Sequence, residues 1–381
     1  MRAVTVFLCG DVMLGRGVDQ ILPHPGNPTL HEQHVRDARQ YVELAQLRNG
    51  PIPYPVGDAW PWGDALQVLD DLAPEVRIIN LETSITQADD FAPGKGVHYR
   101  MSPGNVPCLA AAAPDVCALA NNHVLDFGSQ GLADTLDVLR RAGIRGVGAG
   151  HDLGDTREPA VIPISGGGRV MVVSCGLASS GIPPSWAAAS NRSGVNLVAD
   201  LSERSAAEII AQVGGVRKAG DMVVVSIHWG TNWGYEVPAA HRRFAHRLIE
   251  GGVDIVHGHS SHHPRPIEIY RGKLVLYGCG DFIDDYEGIA GYESYRADLR
   301  LMYFVSFDQD AGAVQGLRII PMQARTMRLR HASLADSAWL GQILNEISRP
   351  FATRVDAGSA GALTAASRST LDATAEGAAG Q

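Results

Sequence analysis

Four histidines, His257, His259, His262 and His263, fall within seven residues of the stretch DIVHGHSSHHPRP. A short apolar run leads into them and two prolines follow, so they stand where a buried strand gives way to a loop. Imidazoles this dense are either a polar loop or one wall of a metal site. The choice turns on whether the rest of the chain supplies partners.

It does, in a repeated pattern. Gly10-Asp11 ends one apolar run, Asn80 and Glu82 end another, and ANNHVLDFG places Asn121, Asn122, His123 and Asp126 after a third. His228 closes the run in SIHWG, and Gly280-Asp281 closes the run after the histidine cluster. Each polar side chain comes at or just after the carboxyl end of an apolar segment. In parallel α/β sheets those ends gather along one edge, where ligands bind. Carboxylate and amide oxygens mixed with imidazoles suit Mn, Fe, Zn or Mg ions. A carboxylate able to bridge is the arrangement that holds two metals and activates a water.

The elements that must position these residues read as strands at 3–9, 76–81, 115–120, 169–175, 221–227, 253–257 and 273–279, with a closing antiparallel pair at 300–307 and 314–320. Helical periodicity falls between them, at 130–142, 203–218, 238–250 and 334–348. For the first of these helices Ser129 is placed to cap the start and Gly143 to end it. Alternating strands and helices indicate α/β architecture with parallel sheet. Residues 20–64 are too long for an ordinary connection and read as a lid or specificity element. From Asp356 the last 26 residues are mostly Ala, Gly, Ser and Thr, with two leucines, and are expected to stay disordered.

Bulk properties narrow the partners. A net charge of −9, with no long basic run, argues against nucleic acid and anionic membrane as main partners. No apolar stretch is long enough to span a bilayer, and the first strand runs straight into Asp11 without a cleavage site. The reading is a chain with no signal peptide or membrane anchor, working in the cytoplasm. The five cysteines are widely spaced within apolar runs, as reduced, buried thiols would be.

GDVMLGR, NLETSIT, ANNHVLDFG, SIHWG and GHSSHHPRPIEIYRGKLVLYGCGDF, in this order, resemble the CapA-type poly-γ-glutamate capsule synthesis proteins, relatives of the calcineurin-like metallophosphatases. The resemblance covers roughly residues 1–325, with 20–64 as an insertion, 326–355 as a helical extension and 356–381 as the tail. It implies a four-layer αββα sandwich, mixed sheets with helices on both outer faces, and a centre of one or two divalent ions. Carried over by position, Asp11, Glu82, Asn122, His228, His259 and His262 would be metal ligands, Glu82 as the bridge. His123 would protonate the leaving group with Asp126 holding it, and Arg16 would meet the charge of a substrate anion.

Three departures stand out. Met13 occupies the position where metallophosphatases carry a first-strand His, and Asn232 stands where many capsule-type members have Glu, with Glu236 four residues on. His257-x-His259 competes with the pair His259 and His262, which we prefer because Gly258 aligns with the family glycine. Trp229 and Trp233 flank His228 and, with Asn80, are the candidates for touching substrate. The segment DDYEG, from Asp284 to Gly288, reads as a solvated turn, while Asp281 is placed to orient an imidazole.

The function this supports is a metal-dependent hydrolase directing a metal-bound hydroxide at a phosphoester of a small or glutamyl-type anionic substrate. The alternatives are hydrolysis of a γ-glutamyl or other amide bond, and a non-catalytic accessory role in capsule biosynthesis or export.

Overall fold

The structure, a computed structural model, describes residues 3–165 and 167–367. In chain order its main strands are β1 (Ala3–Val12), β2 (Val76–Leu81), β3 (Val116–Ala118), β4 (Arg145–Val147), β5 (Ala160–Pro163), β6 (Arg169–Leu177), β7 (Leu197–Val198), β8 (Met222–His228), β9 (Ile255–His259), β10 (Ile267–Tyr270), β11 (Lys273–Leu276), β12 (Asp281–Ile283), β13 (Leu299–Asp308), β14 (Ala313–Ala324), β15 (Leu329–His331), β16 (Thr353–Ala357) and β17 (Leu363–Ser367). Its main helices are α1 (Arg16–Ile21), α2 (Arg39–Asn49), α3 (Ala65–Leu72), α4 (Gly128–Arg141), α5 (Glu203–Gly214), α6 (Ala239–Glu250) and α7 (Leu334–Ser348).

The strands form two mixed sheets. One runs β16-β17-β14-β13-β1-β2-β3-β4, parallel from β1 to β4 and antiparallel from β1 through β13 outward. The other runs β7-β6-β8-β9-β11-β10, with β5 antiparallel on β6. Alternation along each strand assigns residues to opposite faces. Val6 and Leu8 of β1 meet Val172, Val224 and Ile255 in a core between the sheets, while Phe7 and Cys9 face an outer core with Val18, Leu69 and Leu132. On the far side Val173, Val225 and Val256 pack against Ile209 of α5 and Phe244 and Leu248 of α6. β8, MVVVSIH, is buried throughout because both its faces are covered. The result is the expected helix, sheet, sheet, helix sandwich.

β1 changes neighbour part way, and this builds the site edge. Ala3 to Leu8 pair with β13, and Asp11 then pairs with Asp281 of β12 in parallel. The switch needs a close approach at Gly10, where a Cβ would lie 1.6 Å from the Gly280 carbonyl oxygen. The Asp11 N–H donates to that same oxygen at 3.0 Å.

Three sequence expectations change here. The tail does not lose its structure at Asp356: β16 and β17 pair with each other and β17 extends the first sheet through β14. Leu363 and Ala365 suffice because they alternate inward beside Leu340 and Leu344 of α7, while the ladder satisfies the backbone. The rest of the expected tail, residues 368–381, lies outside the described residues. Helix α4 begins at Gly128, which puts Ser129 inside the first turn with no capping bond, whereas Gly143 does follow the helix, with φ +74°. The 20–64 segment is anchored as well as long: Tyr41, Ala45, Ile52, Val56 and Trp62 are buried in the outer core, and α2 presents Arg48 and Asn49 to a cavity.

Candidate metal centre

The carboxyl ends of β1, β2, β8 and β9 and the loop after β3 bring their polar residues together. Asp11, His228 and His259 are buried and each offers a ligand atom, all within 4.8 Å of one another. Glu82 Oε1 is 3.8 Å from His228 Nε2 and 3.7 Å from His123 Nε2. Asn122 Oδ1 lies 2.9 Å from His228 Nε2. Ser260, held at φ +99°, donates its N–H to Asp11 Oδ2 at 3.2 Å. Backbone strain of this kind persists where surrounding structure enforces it.

Proton accounting through the buried imidazoles fixes their tautomers. Burial holds His257 to a pKa of about 4 and holds His259 and His228 well below the usual imidazole range, so all three are neutral at pH 7. The Cys9 carbonyl only accepts, so His257 Nε2 donates to it at 2.7 Å. His257 Nδ1 then accepts the one hydroxyl proton of Ser226, at 3.1 Å. His259 Nε2 must therefore donate to Ser226 Oγ, at 2.9 Å, which leaves the His259 Nδ1 lone pair 2.7 Å from His228 Nδ1. The Asn122 Oδ1 likewise only accepts, so His228 Nε2 donates to it at 2.9 Å, and the Nδ1 lone pairs of His228 and His259 are left facing each other.

Acceptors facing acceptors are what a cation satisfies, and the carboxylates agree. Burial, then the neighbouring Asp281, pushes Asp11 up to about 7, and burial, then Asp11, pushes Glu82 well above the carboxylate range. The donor set of two carboxylates, an amide oxygen and imidazoles therefore fits a divalent ion of the hard to borderline class. Asp11, Glu82, Asn122, His228 and His259 are the residues that would hold it.

His123 stands beside this group. Its Nδ1 donates to Asp126 Oδ2 at 2.6 Å and its ring stacks on Tyr99 at 3.8 Å, which leaves Nε2 toward Glu82. Burial lowers its pKa to about 4 despite the Asp126 charge. Lys95, which no sequence motif marks, bonds Asp126 Oδ1 and the Asn122 carbonyl and so ties the 86–98 loop to both motif residues. Its signal is absent from the sequence because a lone lysine in FAPGKGVHYR has neither periodicity nor a partner nearby in the chain.

Several expected roles fall elsewhere. Arg16 is not available to a substrate: Nε and Nη2 bond Asp285, Nη1 bonds Glu32 at 2.9 Å, and its guanidinium lies 3.9 Å over the Tyr41 ring. Asp284 and Asp285 are accordingly not a solvated turn; both are buried, Asp284 against Arg300 at 2.6 Å. Asn80 orients Asp11 by donating to Oδ1 at 2.7 Å. Trp229 is 2% exposed, donates to the Tyr277 carbonyl and stacks on His241, so it is a packing residue. Trp233 is half-buried beside His262. His262 stands one step back, bonded through Nδ1 to Asp281 at 2.9 Å and through Nε2 to the Asn232 amide at 3.0 Å. Burial opposes charging His262, and Asp281 outweighs it, so its pKa is raised. His257 and His263 are buried outside the ligand group. All five cysteines are buried and unpaired.

Fold and residues together define a four-layer αββα protein with a candidate metal centre at the sheet ends. The chain belongs to the family of the bacterial capsule synthesis protein PGA_cap, whose model matches residues 5–286. It is 55% identical over 353 residues to a Mycobacterium tuberculosis protein named "Probable polyglutamine synthesis accessory protein", covering 92% of this chain and 93% of that one. It is 29% identical to the PGA biosynthesis protein CapA of Bacillus subtilis, over 72% of this chain and 62% of that one. A solved structure described as a novel phosphatase from Mycoplasma pneumoniae aligns with a TM-score of 0.46 at 13% identity, covering 85% of this chain and 94% of that one. Among the described residues no helix is long and apolar enough to cross a membrane.

Proposed function

We propose that the protein is a metal-dependent hydrolase of a small anionic ester, a phosphoester first. The observation that supports this most is the convergence of Asp11, Glu82, Asn122, His228 and His259 beside a His123–Asp126 couple. A divalent ion bound there supplies Lewis acidity and lowers the pKa of water. The protein supplies the rest. Asp126 holds His123 in the Nδ1–H tautomer, so Nε2 is the free ring nitrogen, the atom that would take up a proton and pass it to the leaving group. In the absence of substrate the ring is neutral, and the negative charge of a bound ester raises its proton affinity. Asn80 and the Ser260 N–H fix Asp11, and the Ser226 relay fixes the imidazoles.

A second reading, an accessory role in synthesis without turnover, is favoured by the names of the M. tuberculosis and B. subtilis relatives. The test is metal content per chain by mass spectrometry for wild type, Glu82→Ala and His259→Ala, followed by a screen of phosphoesters before amides. One to two equivalents in wild type, lost in both variants, support the hydrolase. Wild type that neither holds nor takes up Mn, Fe, Zn or Mg refutes it and leaves a binding protein.

A further inference from the structure

Two tyrosines meet at the rim of the metal centre. Tyr99, just after the 86–98 loop, lays its ring on His123 at 3.8 Å. Tyr286, in the loop after β12, stands perpendicular to His262, with 5.4 Å between ring centroids and an interplanar angle of 88°. Their hydroxyls are hydrogen-bonded to each other. The pair therefore spans from the His123–Asp126 couple on one side of the centre to His262 and Asp281 on the other. Glu82 is close to both: its Oε1 is 3.7 Å from His123 Nε2, and its charge reaches each phenol. Behind the rings lies the Arg16 guanidinium, 4.7 Å from the Tyr99 centroid and 5.7 Å from that of Tyr286. Tyr286 directly follows Asp285, so the ion pair that buries Arg16 also sets where Tyr286 starts.

Proton accounting leaves one donor over. Burial pushes both phenols well above their usual range, against the pull of Arg16, so both keep their protons at neutral pH. Two phenols carry two protons, and the bond between them uses one. Tyr99 is 4% exposed and the Tyr286 oxygen is its hydroxyl's one acceptor among the described residues. A buried donor left unmade is costly, so the shared proton is that of Tyr99. Tyr286 is half-buried and lines a cavity of about 550 Å³ beside His262. Its own proton has no acceptor among the described residues, on the side where a ligand can supply one.

We propose that Tyr286 donates this hydrogen bond to an oxygen of the phosphoryl group held at the metal centre, with Tyr99 as the positioning residue that aims it. The identity of that oxygen rests on the hydrolase reading. An uncharged donor fixed beside an oxygen that gains charge as the ester breaks does its greatest stabilising in the transition state. Tyr286 thus fills the place that the sequence assigned to Arg16, and Arg16 acts from behind, through Asp285 and the two rings.

The test is calorimetric titration of the full chain, loaded with Mn²⁺ and freed of excess metal, with inorganic phosphate. Metal content is read by mass spectrometry beside each titration. Tyr286→Phe keeps the ring and should bind phosphate at least about tenfold more weakly than wild type at unchanged metal content, the usual contribution of one hydrogen bond to a charged acceptor. Wild type should show a tyrosine near-ultraviolet difference band on binding phosphate, lost in Tyr286→Phe. Tyr99→Phe should keep that band, because Tyr286 keeps its proton, yet bind phosphate more weakly than wild type. The double variant should be no weaker than Tyr286→Phe alone. Phosphate affinity within about twofold of wild type in Tyr286→Phe overturns the donor. A double variant about tenfold weaker than Tyr286→Phe overturns the assignment of the free proton to Tyr286. A chain that takes up no metal refutes the hydrolase reading and the donor with it, whereas a loaded centre indifferent to Tyr286→Phe overturns the donor alone.

Discussion

Replacing Ser226 with alanine removes a hydroxyl on which two buried imidazoles depend. Ser226, His257 and His259 are all 0% exposed, and the hydroxyl lies 3.1 Å from His257 Nδ1 and 2.9 Å from His259 Nε2. No water reaches them, so Ser226→Ala strands one acceptor and one donor. Each buried unsatisfied group costs about 1–3 kcal/mol, and the small void adds little, so the expected destabilisation for the two is about 2–6 kcal/mol. That is a large share of the roughly 5–15 kcal/mol that holds a typical domain folded, but it leaves a folded protein to measure. Guanidinium unfolding of the metal-free protein gives the stability change directly. Titration of the folded variant with Mn²⁺ or Zn²⁺ gives the second readout, an expected 10- to 100-fold loss of affinity because His259 and His228 lose their orientation. Destabilisation below about 0.5 kcal/mol together with wild-type metal affinity would refute the relay and the tautomers drawn from it.

Asp285→Ala should destabilise by about 3–5 kcal/mol in thermal or denaturant unfolding, because Arg16 stays buried with Glu32 as its one remaining carboxylate. Asp285→Asn, of similar volume, should cost nearly as much if charge rather than packing is what Arg16 needs. His241 gives a pH signature: burial, then the Arg265 charge, holds it at about 4 against 6.5 unfolded. Its contribution is complete above pH 6.5 and is lost as pH falls toward 4, up to about 3 kcal/mol, and His241→Gln should flatten that part of the stability profile. If the hydrolase reading holds, His123→Ala should lower kcat about 10²- to 10⁴-fold in a steady-state phosphoester assay while metal content stays at the wild-type level. Lys95→Met should change the pH dependence of that activity, since the ammonium beside Asp126 and His123 would be gone.

Sequence alone placed the centre because strand ends are legible. Runs such as MVVVSIH announce strands buried on both faces, and parallel topology carries their final residues to one edge whatever the loops do. Asp11, Glu82, Asn122, His228 and His259 stand at such ends, as do Asn80, His123, His262 and Asp281, and the resemblance to the capsule synthesis proteins is what singled out a ligand set, His262 included. What tertiary structure decided is which partner each polar side chain finds. Arg16, next to the first motif, is claimed by Asp285, 269 residues away. Trp229 follows a candidate ligand yet turns into the core beneath α5 and α6, because strand alternation sends His228 and Trp229 to opposite faces. Lys95 acquires a role only when its loop folds over Asp126. The tail past Asp356 looked too poor in apolar residues to fold, but an existing sheet edge supplied the hydrogen bonds that the composition of the segment could not reveal. Side-chain type and chain spacing set what chemistry is available; long-range pairing sets which of those groups remain free to perform it.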